Sequence, residues 1–132
     1  MKTRFLTKAV LPYLNRPYSL GCKEGGLDCL GLLWAVFENL GINLPREYEG
    51  FTSENYASKW MSGGGREELI EYLESLGHEV LLSYLAPGDI VLYESGFGLY
   101  LGSGNMITVL EEHGVLVMPI KAIVTQAIRV AI

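Results

Sequence analysis

The sequence predicts an α+β domain in which helices occupy the first half of the chain and an antiparallel sheet the second. Up to about residue 76, apolar residues recur at the spacing of amphipathic helices. From residue 89 onward, short β-branched and aromatic runs are separated by glycines, which is typical of strands joined by tight turns. Because the chain has no internal repeat, low-complexity tract or linker, we expect residues 1–132 to form a single domain.

Length and composition favour a globular protein made in a reducing compartment. A chain of 132 residues, 49% of them apolar, can bury one core without disulfides or a metal ion. Cys22 and Cys29 are too few for a disulfide framework, so we expect two free thiols. No apolar run reaches the roughly 20 residues that a membrane span needs. Lys8 and Pro12 interrupt any signal peptide, so synthesis in the cytoplasm is expected.

The charged and metal-binding residues argue against two classes of function. Ten basic and fifteen acidic residues give a net charge of −5, and no basic cluster could follow a phosphate backbone. Nucleic acid is therefore not an expected partner. The two cysteines and the two histidines, His78 and His113, lack the spacing of zinc ligands, so we expect no metal site and no cofactor.

The first two helices are predicted from their apolar spacing and their end signals. One should cover residues 2–14, with Pro12 disturbing its last turn. The next should run from Leu30 to a glycine stop at Gly41. Residues 42–46 should then be extended, because the residue before a proline avoids the helical conformation.

Two further helices follow before the sheet. A short one is predicted over residues 53–60, with Ser53 as its cap. A longer one is predicted over residues 66–76, where leucines line one side and glutamates the other, and Gly77 supplies the stop. His78 comes directly after this stop, so we expect it to be a surface residue at a helix end.

The second half of the chain predicts a series of short strands. Glu112, His113 and Gly114 form a turn signal between the last two runs of the main series. A final run over residues 127–132 could add an edge strand. The main predicted strands cover residues 89–93, 97–101, 105–110 and 115–119.

Cys29 is the candidate nucleophile because the local sequence places it in the first turn of the most apolar helix. Gly25 and Gly26 break the chain before it, and Asp28 is a good N-cap. The positive end of the helix dipole would then favour a thiolate at Cys29. A free cysteine can equally be a small apolar residue of the core, and the sequence leaves both interpretations open.

Two blocks of sequence resemble the NlpC/P60 family of papain-like cysteine peptidases, which cleave bacterial cell-wall peptides. The first is Arg16-Pro-Tyr-Ser-Leu-Gly21 followed by Gly26-Leu-Asp-Cys-Leu-Gly31. The second is Leu85-Ala-Pro-Gly-Asp-Ile-Val-Leu-Tyr93 followed by Gly98-Leu-Tyr-Leu-Gly102. The form of the cysteine motif is most similar to the branch found in phage and prophage tail proteins.

The resemblance implies a fold and a set of site residues. The expected fold is papain-like, with the Cys29 helix packed on an antiparallel sheet of about five strands. Cys29 takes the nucleophile position, and Tyr18 and Asp28 match positions that line the substrate cleft. Gly96 stands where the family has its catalytic histidine, and Thr108 stands near the third polar residue.

The missing histidine decides between two functions. A cysteine peptidase needs a base that takes the thiol proton and returns it to the leaving amine. His78 and His113 lie outside the strands of the expected site, so we do not expect either to serve Cys29. The resemblance therefore implies an inactive structural component of a phage tail tip, with other tail-tip proteins as partners. The alternative is a murein endopeptidase that acts on peptidoglycan peptides with an unusual or partner-supplied base.

Overall fold

The computed structural model describes residues 3–61, 65–120 and 123–131 and confirms the predicted α+β fold. Helices pack on an antiparallel sheet, and the core lies between them. Short 3₁₀ turns lie at Leu11–Tyr13, Lys23–Gly25 and Leu82–Tyr84. The helices in the described part of the chain are α1 (Thr3–Val10), α2 (Cys29–Asn39), α3 (Tyr56–Met61) and α4 (Arg66–Ser75). The strands there are β1 (Glu47–Tyr48), β2 (Phe51–Thr52), β3 (Gly77–Val80), β4 (Ile90–Tyr93), β5 (Gly96–Gly102), β6 (Asn105–Leu110), β7 (Gly114–Pro119) and β8 (Val124–Val130).

The main sheet has six strands in the described residues, one more than expected. Its order is β3-β8-β4-β5-β6-β7, and every neighbouring pair is antiparallel. The additional strand is β3, which pairs His78 with Arg129 of β8. His78 is exposed as expected, but it lies in an edge strand and not at a helix end. The strand forms because α4 ends before Gly77 and the chain turns directly back along β8.

The last strand, β8, is not the edge strand that the sequence predicted. It lies between β3 and β4, and its residues Ala127 and Ile128 are fully buried. The predicted run ended at Ile132, which is outside the described residues. Because β8 pairs with a strand on each side, it joins the edge strand β3 to the rest of the sheet.

Helix α2 is the central helix and lies against α1, β5 and β6. Its residues Leu33, Val36 and Phe37 are almost fully buried. A helix that is apolar on most sides is stable only when other elements surround it. The N-terminus of α2, with Cys29, is therefore held rigidly against the sheet.

Helix boundaries differ from the sequence prediction where local side chains intervene. α1 ends at Val10, because Pro12 converts the following turn to a 3₁₀ turn. α3 begins at Tyr56, not at Ser53. The turn before it is closed by Thr52 and Asn55, whose side chains each accept a hydrogen bond from the other's backbone N–H. An unpredicted hairpin, β1–β2, precedes this turn.

The outer edge of β7 is partly covered by the segment that leads to the Cys29 region. The Asn15 N–H donates to the Val115 carbonyl at 3.0 Å, and the Val115 N–H donates to the Arg16 carbonyl at 2.8 Å. Gly114 permits this approach, because an added Cβ would lie 2.1 Å from the Arg16 carbonyl oxygen. Backbone pairing with the sheet thus fixes the chain just before Tyr18.

None of the helices in the described residues is long and apolar enough to cross a membrane. No group of three or more histidine, cysteine or acidic side chains in the same residues is arranged to hold a metal ion.

Candidate active site

Cys29 is the first residue of α2, as the sequence predicted, and Asp28 is its N-cap. The Asp28 Oδ1 atom accepts a hydrogen bond from the Gly31 N–H at 2.7 Å. This bond satisfies one of the donors that the first turn of a helix leaves without a partner. The cap therefore fixes the direction in which Cys29 leaves the helix.

The Asp28 carboxylate also joins three parts of the chain. Its Oδ2 atom accepts hydrogen bonds from the Gly21 N–H at 2.9 Å and from the Tyr56 hydroxyl at 2.5 Å. The Cys22 thiol lies 3.5 Å from Oδ1. Asp28 is only 4% exposed, so these donors replace the water that the carboxylate would otherwise bind. Asp28 is thus a structural centre of the site, and its oxygen atoms face protein donors.

The sheet brings Gly96 and Thr108 to Cys29, as the resemblance implied. The Cys29 sulfur lies 3.8 Å from Thr108 Oγ1 and 3.7 Å from the Val109 carbonyl oxygen on β6. Gly96, the first residue of β5, is so close that an added Cβ would lie 3.4 Å from this sulfur. All three positions therefore meet at the N-terminus of α2.

Tyr93 completes this cluster, although the sequence analysis did not assign it to the site. Its hydroxyl lies 2.7 Å from Thr108 Oγ1. Thr108 donates its only hydroxyl proton to the Phe97 carbonyl at 2.8 Å, so Tyr93 must be the donor to Thr108. Thr108 then has no second proton with which to stabilise a thiolate at Cys29.

The expected stabilisation of a Cys29 thiolate by the helix dipole is wrong for this site. Burial raises the pKa of the Cys29 thiol, and hydrogen bonding to the Phe97 backbone offsets only part of this rise. A thiol in apolar surroundings is disfavoured as an anion, and burial is the largest influence on the pKa of the Cys29 thiol. Cys29 is therefore a neutral thiol at neutral pH.

A cleft opens above Cys29 and is mainly aromatic and aliphatic. Tyr18 and Asp28, the two predicted cleft residues, both line it, and Tyr18 is half-buried. The negative charge of Glu111 at the rim adds to burial in raising the pKa of Tyr18. The aromatic and aliphatic residues that line the cleft include Leu20, Phe51, Tyr56, Trp60, Phe97 and Leu110.

The cleft contains no imidazole. The chain has two histidines, and both belong to the described residues. His78 lies in β3 at the sheet edge, and His113 is exposed in the turn before β7. Neither lines the cleft.

Tyr93 and Tyr56 are the two site residues that the sequence analysis missed. Tyr93 could have been found from the hairpin, because a two-residue turn between β4 and β5 places it directly opposite Gly96. Tyr56 offered no such signal. It reaches Asp28 only because α3 folds back across the start of α2, which is a long-range contact.

Comparison with known proteins assigns this arrangement. Residues 15–130 match the model of the NlpC/P60 family, which covers most of the chain and includes every residue of the cluster. The chain belongs to the NlpC/P60 family. This result confirms the family that the two sequence blocks indicated.

The curated relatives are longer proteins. The NlpC/P60 chain is 30% identical over 106 residues to the probable endopeptidase Rv2190c of Mycobacterium tuberculosis and to the probable endopeptidase Mb2213c of Mycobacterium bovis. Each alignment covers 77% of this chain and 22% of the relative. The chain thus spans about a fifth of the length of these proteins.

Solved structures share the papain-like NlpC/P60 fold over nearly the whole chain. The NlpC/p60 domain of the peptidoglycan hydrolase SagA aligns with a TM-score of 0.68 and 18% identity, covering 98% of this chain and 99% of that domain. RipD from Mycobacterium tuberculosis, described as a non-catalytic NlpC/p60 domain protein adapted to peptidoglycan binding, aligns with a TM-score of 0.66 and 22% identity. That alignment covers 98% of this chain and 97% of RipD.

The position of Tyr93 predicts an unusual titration. Burial raises the pKa of Tyr93 to about 12, and the nearby Cys29 adds to this shift. Tyrosine ionisation can be followed by absorbance at 295 nm as the pH is raised. The difference in absorbance between the wild type and Tyr93→Phe should therefore show a midpoint well above the ordinary tyrosine pKa of about 10. Because the folded state favours the neutral phenol, its contribution to stability should be complete below pH 10 and fall as the pH rises from 10 to 12. A difference midpoint at the ordinary value would place Tyr93 in solvent.

Proposed function

We propose that this domain is a catalytically inactive NlpC/P60 domain that serves as a structural component of a phage or prophage tail tip. The proposed loss of catalysis is supported by the set of residues that surround the Cys29 sulfur. Gly96 provides no side chain beside the sulfur, and the neighbouring polar groups are the hydroxyls of Tyr93 and Thr108. In this proposal Gly96 has replaced the catalytic histidine.

The chemistry of amide cleavage explains why this cluster is inadequate. The nucleophile must lose a proton, and the same proton must reach the leaving amine. The pKa of the Cys29 thiol is raised by burial, and that of Tyr93 is raised to about 12, so neither group exchanges protons readily near pH 7. Loss of a catalytic base typically costs on the order of 10⁴ to 10⁶ in rate.

The proposed setting is supported by the cysteine motif and by an exposed apolar segment. The sequence Gly26-Leu-Asp-Cys29 resembles the phage tail branch of the family. Leu81, just before the 3₁₀ turn that follows β3, and Tyr84, the last residue of that turn, are 67% and 69% exposed, and Leu82 between them is 44% exposed. Large apolar side chains concentrated in one short surface segment favour a protein–protein contact. We propose other tail-tip proteins as the partners, with synthesis in the bacterial cytoplasm and assembly into the virion.

The preserved cleft favours a second function, which is binding of a peptidoglycan peptide without cleavage. Tyr18, Tyr56 and Trp60 still form aromatic walls around Cys29. RipD, which has the same fold, is described as non-catalytic and adapted to peptidoglycan binding. A tail-tip component with such a cleft could contact the cell wall and leave it intact.

The test of the proposal compares the wild type with Cys29→Ala on purified peptidoglycan and on a D-glutamyl-diamino acid peptide. We expect no turnover from either protein, measured as released amine by chromatography over a day. Turnover by the wild type that disappears in Cys29→Ala would establish the alternative, an active murein endopeptidase. Co-sedimentation of both proteins with peptidoglycan would support the second function.

The setting has a separate test in a phage or prophage that carries the gene. Deletion of the gene should abolish assembled tails in electron micrographs, whereas Cys29→Ala should assemble them normally. Normal tails after deletion would contradict the structural role and leave the conclusion about catalysis unaffected.

A further inference from the structure

We propose that Glu111 selects the ligands of the Cys29 cleft, which takes an aliphatic side chain that ends in a free ammonium group. This inference rests on the proposed binding of a peptide without cleavage, and it names the chemical class of the side chain that binds. A diamino acid residue of a peptide has such a side chain. The cleft is then a site for one side chain, and Glu111 is its specificity-determining residue.

The charged residues described around the cleft are acidic. Of the described residues that line it, Asp28 and Glu111 carry a carboxylate, and none is a lysine, an arginine or a histidine. Asp28 is not available to a ligand, because it is 4% exposed and both of its oxygen atoms accept hydrogen bonds from protein donors. Glu111 is therefore the carboxylate of the cleft that a ligand can reach.

Glu111 lies at the rim of the cleft, directly after the last residue of β6. It is exposed, and it forms no hydrogen bond or ion pair with the residues that the structure describes. Its charge acts inside the cleft, since it adds to burial in raising the pKa of Tyr18. An ammonium group bound beside Glu111 would supply the counter-ion that the described chain does not supply there.

The size and lining of the cleft determine the rest of the ligand. Its volume is about 160 Å³, close to the roughly 150 Å³ of a cavity that binds benzene, so one side chain fills it. The walls formed by Leu20 and Phe51 can bury methylene groups. The aromatic rings of Tyr18 and Trp60 also line the cleft, and the face of such a ring attracts a cation. Apolar walls with a carboxylate at the rim therefore fit an aliphatic stem with a terminal ammonium group.

The test compares the binding of two probes, Nα-acetyl-lysine amide and Nα-acetyl-norleucine amide. Norleucine has the aliphatic stem of lysine without the ammonium group. Binding is measured by NMR, from the change in chemical shift of the Trp60 indole N–H as each probe is added. The Trp34 indole N–H, which donates to the Tyr72 hydroxyl in the core at 2.7 Å, is the internal reference.

We expect Glu111→Gln to lower the ratio of lysine-probe affinity to norleucine-probe affinity by about threefold to tenfold, the range between an exposed ion pair and a hydrogen bond to a charged group. The substitution keeps the size of the side chain and removes its charge. Glu112→Gln is the matched control, because Glu112 is exposed and does not line the cleft, so the ratio should keep its wild-type value. Raising the salt concentration from about 0.01 M to about 1 M should lower the ratio in the wild type and leave Glu111→Gln unchanged.

Three outcomes would overturn the inference. The same ratio in the wild type and in Glu111→Gln would show that Glu111 does not select the ligand. An equal fall in Glu112→Gln would show that only the net charge of the chain matters. No change at Trp60 with either probe at about 50 mM, well above the millimolar dissociation constant expected for so small a ligand, would show that the cleft does not take this side chain. Peptide turnover and co-sedimentation with peptidoglycan are measured separately, so failure here is distinguishable from failure of the proposed function.

Discussion

Replacing Asp28 with alanine is expected to lower the free energy of unfolding by about 3 to 5 kcal/mol. The variant loses the N-cap of α2, which accepts from the Gly31 N–H. It also leaves the Gly21 N–H and the Tyr56 hydroxyl without their acceptor. Each buried donor without a partner costs about 1 to 3 kcal/mol. Urea denaturation followed by tryptophan fluorescence provides the measurement.

Asp28→Asn is the matched control for this prediction. Its amide oxygen can keep the cap, and the Tyr56 hydroxyl can accept from the new amide group instead of donating. We expect it to lose less than half as much stability as Asp28→Ala. Equal losses in the two variants, or a loss below about 1 kcal/mol in Asp28→Ala, would show that the carboxylate does not hold these segments together.

Gly114→Ala should be nearly as damaging, with an expected loss of about 3 to 4 kcal/mol of unfolding free energy. Gly114 has a φ of +72°, and its added Cβ would lie 2.1 Å from the Arg16 carbonyl oxygen. The backbone must separate to relieve this contact, which breaks the two hydrogen bonds that join residues 15 and 16 to Val115. Thermal unfolding measures the loss of stability, and amide hydrogen exchange measures the loss of the backbone hydrogen bonds at Val115.

Gly104→Ala isolates the contribution of the close approach. Gly104 has a similar φ of +79°, and an added Cβ there would have nothing within 4 Å. This variant should lose only the cost of a left-handed alanine, about 1 to 2 kcal/mol. Faster exchange of the Val115 amide should appear in Gly114→Ala alone. If both variants lost the same stability, the close approach to Arg16 would not be the cause of the damage in Gly114→Ala.

Those features of the fold that local signals encode could be predicted from the sequence. Periodicity, the Asp28 cap and the Gly41 stop placed α2 within a residue of its observed bounds. The hairpin strands β5, β6 and β7 followed from glycine-bounded β-branched runs. The place of β8 in the middle of the sheet and the pairing of β3 could not be predicted, because sheet order depends on contacts between distant segments.

The candidate site shows the same division. Cys29, Gly96 and Thr108, the positions that the resemblance assigned to one site, lie together in the structure. The thiolate expected from the helix dipole is not found, because burial raises the pKa of the Cys29 thiol. Burial of the sulfur depends on tertiary packing, which local sequence signals do not encode. Tyr93 stands in the second sequence block, but its hydrogen bond with Thr108 depends on the pairing of separate strands.

The pairing of β7 with residues 15 and 16 also determines when the cleft can form during folding. Asn15 and Val115 lie near opposite ends of the chain, so their contact closes a loop that contains almost every other element. Closing such a loop is entropically unfavourable until the intervening structure has formed. Helix α2 depends on local contacts along its own length, whereas the wall that contains Tyr18 depends on the pairing of residues 15 and 16 with β7. We therefore expect this wall of the cleft to form late in folding, after β7 has joined the sheet.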